Sequence, residues 1–162
     1  MTIDAATFDT PIGELSVLSQ RDVIVAAGFG SPRQMSERFT DDDVVMRADL
    51  GRLSAGVAAY LDGDVTALDD LPVSQPGGDF FQAAWKVMRE VPAGQTITYA
   101  ELADRAGNPR AVRAAASACA RNLIAPVVPC HRIVRTGGAL GGYYYGLDTK
   151  SWLLAHEREA RS

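Results

Sequence analysis

TYAELADRAGNPRAVRAAASACARN, residues 98–122, carries two helix starts in quick succession. Thr98 followed by Glu101 has the spacing of a capping box and predicts a short helix over YAELADRA. Gly107 then interrupts the pattern. Asn108 as N-cap, with Pro109 in the first helical position, predicts a second helix directly after it. Two helices joined by a three-residue turn containing Gly107 have the spacing of a helix-turn-helix. In the later helix Arg110, Arg113, Ser117 and Arg121 fall three and four residues apart and share one face. Six alanines between residues 111 and 120, Ala114 among them, leave the remaining surface smooth enough for another backbone to approach closely. Close packing against the protein itself is the other reading of the same alanines, because alanine is also the best helix former.

Upstream, Asp79 and Gln82 resemble another capping box, and Phe80, Phe81, Ala84, Trp85 and Met88 keep helical period up to Pro92, Ala93 and Gly94. The stretch SQPGGDFF precedes this helix and places a domain border near Gly78, dividing the chain into 1–78 and 79–162. In the first part, ATFDTPIGELSVLS and DVIVAAGF alternate apolar and polar residues around turn signals, as hairpin strands do. Met46, Leu50, Leu53, Val57 and Tyr60 then follow at helical spacing. No internal repeat is visible.

The charges are unevenly distributed. Residues 1–78 hold 5 Lys+Arg against 13 Asp+Glu, residues 79–162 hold 11 against 7, and residues 110–135 contain five arginines and no acid. An acidic half beside a basic stretch fits a polyanion-binding module, since phosphate contacts dominate nonspecific affinity, but charge alone fits a solvated basic face equally well. Neither a signal peptide nor a membrane-length apolar run is present, so the expected location is cytoplasmic. Two cysteines make no disulfide framework, and without paired spacing they make no metal site.

One of those cysteines lies in APVVPCHRIV, residues 125–134, next to a histidine and an arginine. A free thiol titrates near 8.5 and only its thiolate is nucleophilic, so reactivity at Cys130 needs a neighbouring cation or base. On the dipeptide alone, an inert buried cysteine and a nucleophile both stay open. A histidine base needs a third group to orient it; among Asp148, Glu157 and Glu159, Glu157 is the choice. It falls one turn beyond Leu153 on a C-terminal helix whose expected buried stripe is Trp152, Leu153 and His156.

These residues resemble the O6-alkylguanine-DNA alkyltransferases, also called methylated-DNA–protein-cysteine methyltransferases. The resemblance rests on PCHRIV, with RAAASACARN and FFQAAWKVMREVPAGQTITYAELA before it and GGYYYGLDTKSWLLAHE after it. It covers residues 79–158 almost continuously, and the first domain more loosely through TPIGELSV and YLDGDVT. It implies an α/β protein, with a small ribonuclease-H-like N-terminal domain and a winged-helix-like helix-turn-helix C-terminal domain. It also implies that Cys130 accepts an alkyl group from guanine O6 as a thioether, once per molecule and without cofactor or metal. His131, acting through water and oriented by Glu157, is then the base. Asn122 holds the turn before the active site, and Tyr99 steers the target phosphate and protonates guanine N3. Arg113 fills the gap left by the extruded nucleotide, with Arg110, Ala114, Ser117, Arg121 and Arg132 as further DNA contacts. Pro129, Ile133, Tyr143, Tyr144, Tyr145 and Cys119 line the substrate pocket. The implied partner is double-stranded DNA containing O6-alkylguanine, bound through the minor groove by a monomer, with cooperativity on DNA left open.

The chain departs from the family pattern after Tyr143, where small residues are common and Tyr144 and Tyr145 stand here. Two bulky side chains at the rim imply a narrower pocket, and Tyr145 would be strained if that backbone needed positive φ. Leu123 follows Asn122 where proline is frequent. Residues 1–78 contain neither cysteine nor histidine, so the N-terminal zinc site of some relatives has no ligands here. A noncatalytic lesion-binding protein and a helix-turn-helix transcriptional regulator are the alternatives. Relatives that sense without reacting have tryptophan at the cysteine position, which Cys130 speaks against.

Overall fold

Residues 2–39 and 42–160 are described by a computed structural model. The chain divides into two compact units, residues 1–75 with 123–127 and residues 76–122 with 128–162. The first unit ends three residues before the border expected at Gly78, and it also takes in a five-residue excursion of the chain. Backbone bonds hold that excursion: Ala27 N–H donates to Leu123 O at 2.8 Å and Ala125 N–H to Ala27 O at 3.0 Å. Leu123 N–H meets Gln75 Oε1 at 2.8 Å.

In the first unit, β1 (Thr2–Thr10), β2 (Gly13–Gln20) and β3 (Val23–Phe29) form an antiparallel meander, with Thr10 opposite Gly13 at the first hairpin. Helix α1 (Pro32–Phe39) then returns the chain, and β4 (Asp43–Met46) adds to β1 in parallel, giving the order β3-β2-β1-β4. Leu15 to Ser19 of β2 are all buried, and the buried Ser16 satisfies its hydroxyl by donating to Gly30 O at 2.6 Å. Helix α2 (Arg52–Leu61) buries Leu53, Val57 and Tyr60 as their spacing predicts. The same pattern extends too far upstream, because Met46 belongs to β4, pairs with Ala5 and is 54% exposed. Gly51, at φ 66, breaks the path between them. Neither α1 nor β4 is among the elements expected from the sequence.

The second unit is built on α3 (Asp79–Glu90), which buries Ala84, Trp85, Val87 and Met88. Its N-cap is Gly78 with no side-chain bond, so Asp79 is the first helical residue and not the cap. The chain continues through β5 (Ile97–Thr98), α4 (Tyr99–Arg105), α5 (Val112–Ala120), one turn of 3-10 helix (Cys130–Arg132), β6 (Ile133–Val134) and α6 (Leu147–Glu159). Trp85 Nε1–H donates to Ala118 O at 2.9 Å, locking α3 to α5. Helix α5 starts three residues later than Pro109, since Asn108 instead makes a turn. Its Oδ1 accepts from Arg110 N–H at 3.2 Å and its backbone carbonyl from Ala111 N–H at 3.0 Å. Arg110 therefore precedes the helix, Arg121 caps its C-terminus, and the connection from α4 is six residues long. No helix among the described residues is long and apolar enough to cross a membrane.

The Thr98 capping box forms as the sequence predicts: the Thr98 hydroxyl accepts from Glu101 N–H and the Glu101 carboxylate from Thr98 N–H, both at 3.1 Å. It fixes the first turn of α4, where Tyr99 stands. Thr98→Ala is expected to cost about 1 kcal/mol, read as a lower urea midpoint at unchanged slope.

Candidate active site

A two-residue parallel pair organises the site. Ile97 lies opposite Ile133 and Thr98 opposite Val134, so the start of α4 is tied to the strand that leaves the cysteine turn. Tyr99 and Cys130, thirty-one positions apart in sequence, thereby face one pocket of about 470 Å³. That size suits a nucleobase or another small ligand. Its walls come from α4 (Tyr99), α5 (Val112, Arg113, Ala116, Cys119, Ala120), the turn (Cys130), and the stretch after β6 (Arg135, Gly142, Tyr143, Tyr144).

Asn122 supports the turn from behind. Its side-chain N–H donates to Val128 O at 2.8 Å, joining the point where the chain leaves this unit to the point where it returns. Pro129 caps the turn, and Cys130 N–H bonds back to Val128 O at 2.9 Å. Cys130 is 6% exposed and lines the pocket.

His131 and Glu157 are both fully buried, and His131 Nε2 lies 2.7 Å from Glu157 Oε2. Arg132 straps the same carboxylate, with Nε on Oε1 at 2.9 Å and Nη2 on Oε2 at 3.0 Å, while Nη1 donates to Val91 O at 2.7 Å. Burial opposes the charge on Glu157, but the histidine and arginine donors hold its carboxyl well below the usual range. Burial pushes His131 below its ordinary value of 6.5, and Arg132 and Lys150 push the same way against the pull of Glu157. The imidazole is thus neutral and the carboxylate ionised. An ionised carboxylate only accepts, so the proton of His131 sits on Nε2 and Nδ1 carries the lone pair. Among the described residues no hydrogen-bond partner meets that buried Nδ1, so its lone pair is unshared.

Tyr99 donates by the same logic: burial, reinforced by Cys119 and Cys130, pushes its hydroxyl up to about 12, so it keeps its proton. Burial likewise raises Cys119, the other thiol in the pocket, and makes it a poor competitor to Cys130.

The residues singled out in the sequence divide into those brought together here and those placed elsewhere. Cys130, Tyr99, Arg113, Cys119, Tyr143 and Tyr144 meet at the pocket. Pro129, Ile133 and Tyr145 are not among its walls: Pro129 caps the turn, Ile133 is core in β6, and the Tyr145 ring stacks edge-on between Tyr143 and Tyr144. Tyr145 is not strained, because positive φ falls on Gly146 and Gly141. Arg132, expected at DNA, is 3% exposed and committed to Glu157 and Val91, so it has no reach to a phosphate. Arg110, Arg113 and Arg121 are exposed, while Ala114 and Ser117 are half-buried. The open face of α5 runs instead through Val112, Arg113, Ala116 and Ala120. On α6 the buried stripe is Lys150, Leu153, Leu154 and Glu157, whereas Trp152 and His156 stack on each other at 4.7 Å to one side.

The family described as 6-O-methylguanine DNA methyltransferase, DNA binding domain, matches residues 79–159. The methylated-DNA–protein-cysteine methyltransferase of Methanosarcina acetivorans is 35% identical over 152 residues, covering 94% of this chain and 96% of that protein. The chain belongs to the methylated-DNA–protein-cysteine methyltransferase family. Other members of this family of DNA repair methyltransferases match over shorter stretches. The transcriptional activator and DNA repair enzyme Ada of Escherichia coli is 47% identical over 89 residues, and the Shigella flexneri methyltransferase 40% identical over 107. Those stretches cover 55% and 66% of this chain, but only 25% of Ada and 63% of the Shigella protein. Among solved structures, Mycobacterium tuberculosis OGT in complex with DNA superposes with a TM-score of 0.84 at 32% identity, covering 97% of this chain and 94% of that one.

The buried pair makes stability depend on pH. Both folded values lie below the unfolded ones, so as the pH is lowered the unfolded chain takes up protons first and stability is lost. For His131 the loss begins at the ordinary 6.5, and for Glu157 at the ordinary 4.5. His131→Phe removes the first of these. The gap in urea midpoint between parent and variant is therefore expected to shrink from about pH 8 to pH 5; a gap that stays constant contradicts a neutral buried imidazole.

Proposed function

We propose that the protein repairs O6-alkylguanine in double-stranded DNA by moving the alkyl group onto Cys130, once per molecule and without a cofactor. The observation that carries this reading is a pocket-lining thiol followed directly by a neutral histidine whose free Nδ1 is held in place by a buried carboxylate. The thiol proton passes through a bridging water to Nδ1. The sulfur then attacks the alkyl carbon, the S–C bond forms, the C–O6 bond breaks, and the departing guanine takes a proton at N3 from Tyr99. A thioether offers no leaving group comparable to guanine, so the transfer does not reverse.

A base inside a duplex hides its O6 substituent, so the nucleotide must be extruded at a cost of about a few kcal/mol. Arg113, exposed on α5 at the pocket wall, is positioned to occupy the vacated stack. The small residues Ala116 and Ala120 on the same open face suit close approach to the minor groove. The antiparallel meander with a fourth, parallel strand supports a ribonuclease-H-like first unit. The turn from Arg135 to Ala139, closed by Arg135 N–H on Ala139 O at 2.9 Å, supports a winged-helix-like second unit. The protein is expected to act as a monomer.

Incubation with a duplex bearing one O6-methylguanine, followed by intact-mass and peptide analysis, tests the reading. One methyl on Cys130, stoichiometric with repaired DNA and absent in Cys130→Ser, is the expected result. Tight lesion binding with unmodified Cys130 would make the protein a damage sensor, and several lesions repaired per molecule would overturn the single-turnover scheme. Tyr144 on the pocket wall generates a second expectation. O6-benzylguanine should be repaired more slowly than O6-methylguanine, with Tyr144→Gly narrowing the ratio, and equal rates in the parent protein refute it.

A further inference from the structure

Arg135 lines the pocket, and the reaction scheme gives it no task. Its place follows from the short parallel pair: Thr98 lies opposite Val134, so the residues that come next, Tyr99 and Arg135, leave the pair together. The backbone of Arg135 is fixed at the base of a tight turn, donating to Ala139 O at 2.9 Å and accepting from Gly138 N–H at 3.1 Å. Its stem lies against Gly141, where an added Cβ would meet Arg135 Cγ at 3.4 Å and the Tyr99 hydroxyl oxygen at 2.8 Å. Stem and phenol thus share one glycine face, while the residue as a whole is solvent-exposed. Burial raises the Tyr99 hydroxyl, and the Arg135 charge pulls the other way.

Most cations near the site are already committed. Arg132 is strapped to Glu157, and the buried Lys150 donates to Ile133 O at 2.7 Å, to Leu140 O and to Gly142 O at 3.3 Å. Arg121 lies over the Phe81 ring, 5.8 Å from its centroid, and Arg110 precedes α5. The arginines that line the pocket are Arg113 on α5 and Arg135 after β6. Among the described residues no carboxylate pairs with either of them. Arg113 has its place in the vacated base stack, so Arg135 is the pocket-lining cation left to meet the backbone of the substrate.

A nucleotide that swings its base into a cavity of about 470 Å³ leaves its sugar and its flanking phosphates at the mouth. We propose that Arg135 is a DNA-binding residue of this active site, whose guanidinium holds a phosphate flanking the extruded nucleotide and thereby keeps the lesion base seated at Cys130. A guanidinium suits the task because its fork of N–H donors meets two phosphate oxygens at once and stays charged at any working pH. Contact of the stem with Gly141 restricts the side chain before DNA arrives, so less freedom is lost on binding. Tyr99 then meets the base while Arg135 meets the backbone that carries it, and two side chains on one glycine face hold the two ends of one nucleotide.

The inference rests on the repair reading, and its test separates the two. Duplexes carry a single O6-methylguanine, with the phosphate on its 5′ or 3′ side replaced by an uncharged methylphosphonate, or with that replacement far from the lesion. Binding is measured in the Cys130→Ser background, where no transfer is expected, and methyl transfer in proteins that keep Cys130. Arg135→Ala should weaken lesion binding and slow transfer by about tenfold or more on the normal duplex. It should also reduce the slope of log affinity against log salt concentration by about one. Neutralising one flanking phosphate should cost the parent a similar factor and the alanine variant less than about threefold, while the distant replacement affects both alike. Arg135→Lys, which keeps the charge, should retain the salt slope and most of this coupling. A merely structural role would slow Arg135→Ala yet leave it as sensitive to the methylphosphonate as the parent; that result, or an unchanged rate, overturns the inference. Absence of methyl on Cys130 in the parent would remove the repair reading and leave the binding series to decide Arg135, whereas normal methylation without coupling would remove only the role of Arg135.

Discussion

The active site depends on one carboxylate. Glu157 is buried with full charge, and three N–H groups from His131 and Arg132 satisfy it. Through Arg132 Nη1 the same cluster reaches Val91 O, at the C-terminal cap of α3. Three parts of the unit, α6, the cysteine turn and the end of α3, are thereby fixed to one another around one negative charge. The strap also sets the chemistry. It keeps the carboxylate from taking a proton, which in turn fixes the histidine tautomer and leaves Nδ1 as the basic nitrogen. Removing Arg132 would leave the buried carboxylate without its counter-charge, which is among the costlier defects a core can carry.

The charges around His131 follow a simple logic, because the Glu157 carboxylate is matched by the Arg132 guanidinium. His131 stays neutral chiefly because it lies in a dry interior, with Arg132 and Lys150 pushing the same way, so it can accept a proton. Tyr99 keeps its proton because burial, reinforced by the sulfurs of Cys119 and Cys130, disfavours a phenolate. One neutral acceptor and one neutral donor, on different elements of the same unit, suit a transfer in which a thiol loses a proton and a leaving base gains one.

The sequence disclosed this unit unevenly, for physical reasons. Strong local signals read correctly: the Thr98–Glu101 box, the buried stripe of α3 and the hairpins of the first unit; Glu157 also lies against the turn that carries Cys130, through His131 and Arg132. Failures came where a tertiary partner redirected a residue. Arg132 reads as a surface cation until Glu157 is placed beside it. Asn108 reads as an N-cap, but its side chain closes a turn and moves the helix start to Val112. Leu123–Val127 looks continuous with the active-site strand, yet its backbone bonds pair it with Ala27 of the other unit's sheet. Lys150 was overlooked although the signal was present: it stands three, four and seven residues before Leu153, Leu154 and Glu157, on their buried face. A lysine at such a position usually snorkels outward, and only the three carbonyls reveal why this one does not.

Small residues matter to the pocket as much as charged ones. A Cβ at Gly141, which already adopts φ +73, would lie 2.8 Å from the Tyr99 hydroxyl oxygen and 3.0 Å from Tyr99 Cε2. Glycine there lets the phenol lie directly on the backbone of the opposite wall, which orients its hydroxyl without needing a side-chain partner. Ala116 and Ala120 do the corresponding work on α5, keeping that wall low between Arg113 and Cys119. Cys130, 6% exposed, is therefore shielded from bulk solvent yet lines a pocket whose walls carry these small residues. The tyrosines after Gly142 fit the same scheme, since the bulk they add stands at the rim and leaves the Gly141 position, where bulk would collide with Tyr99, untouched.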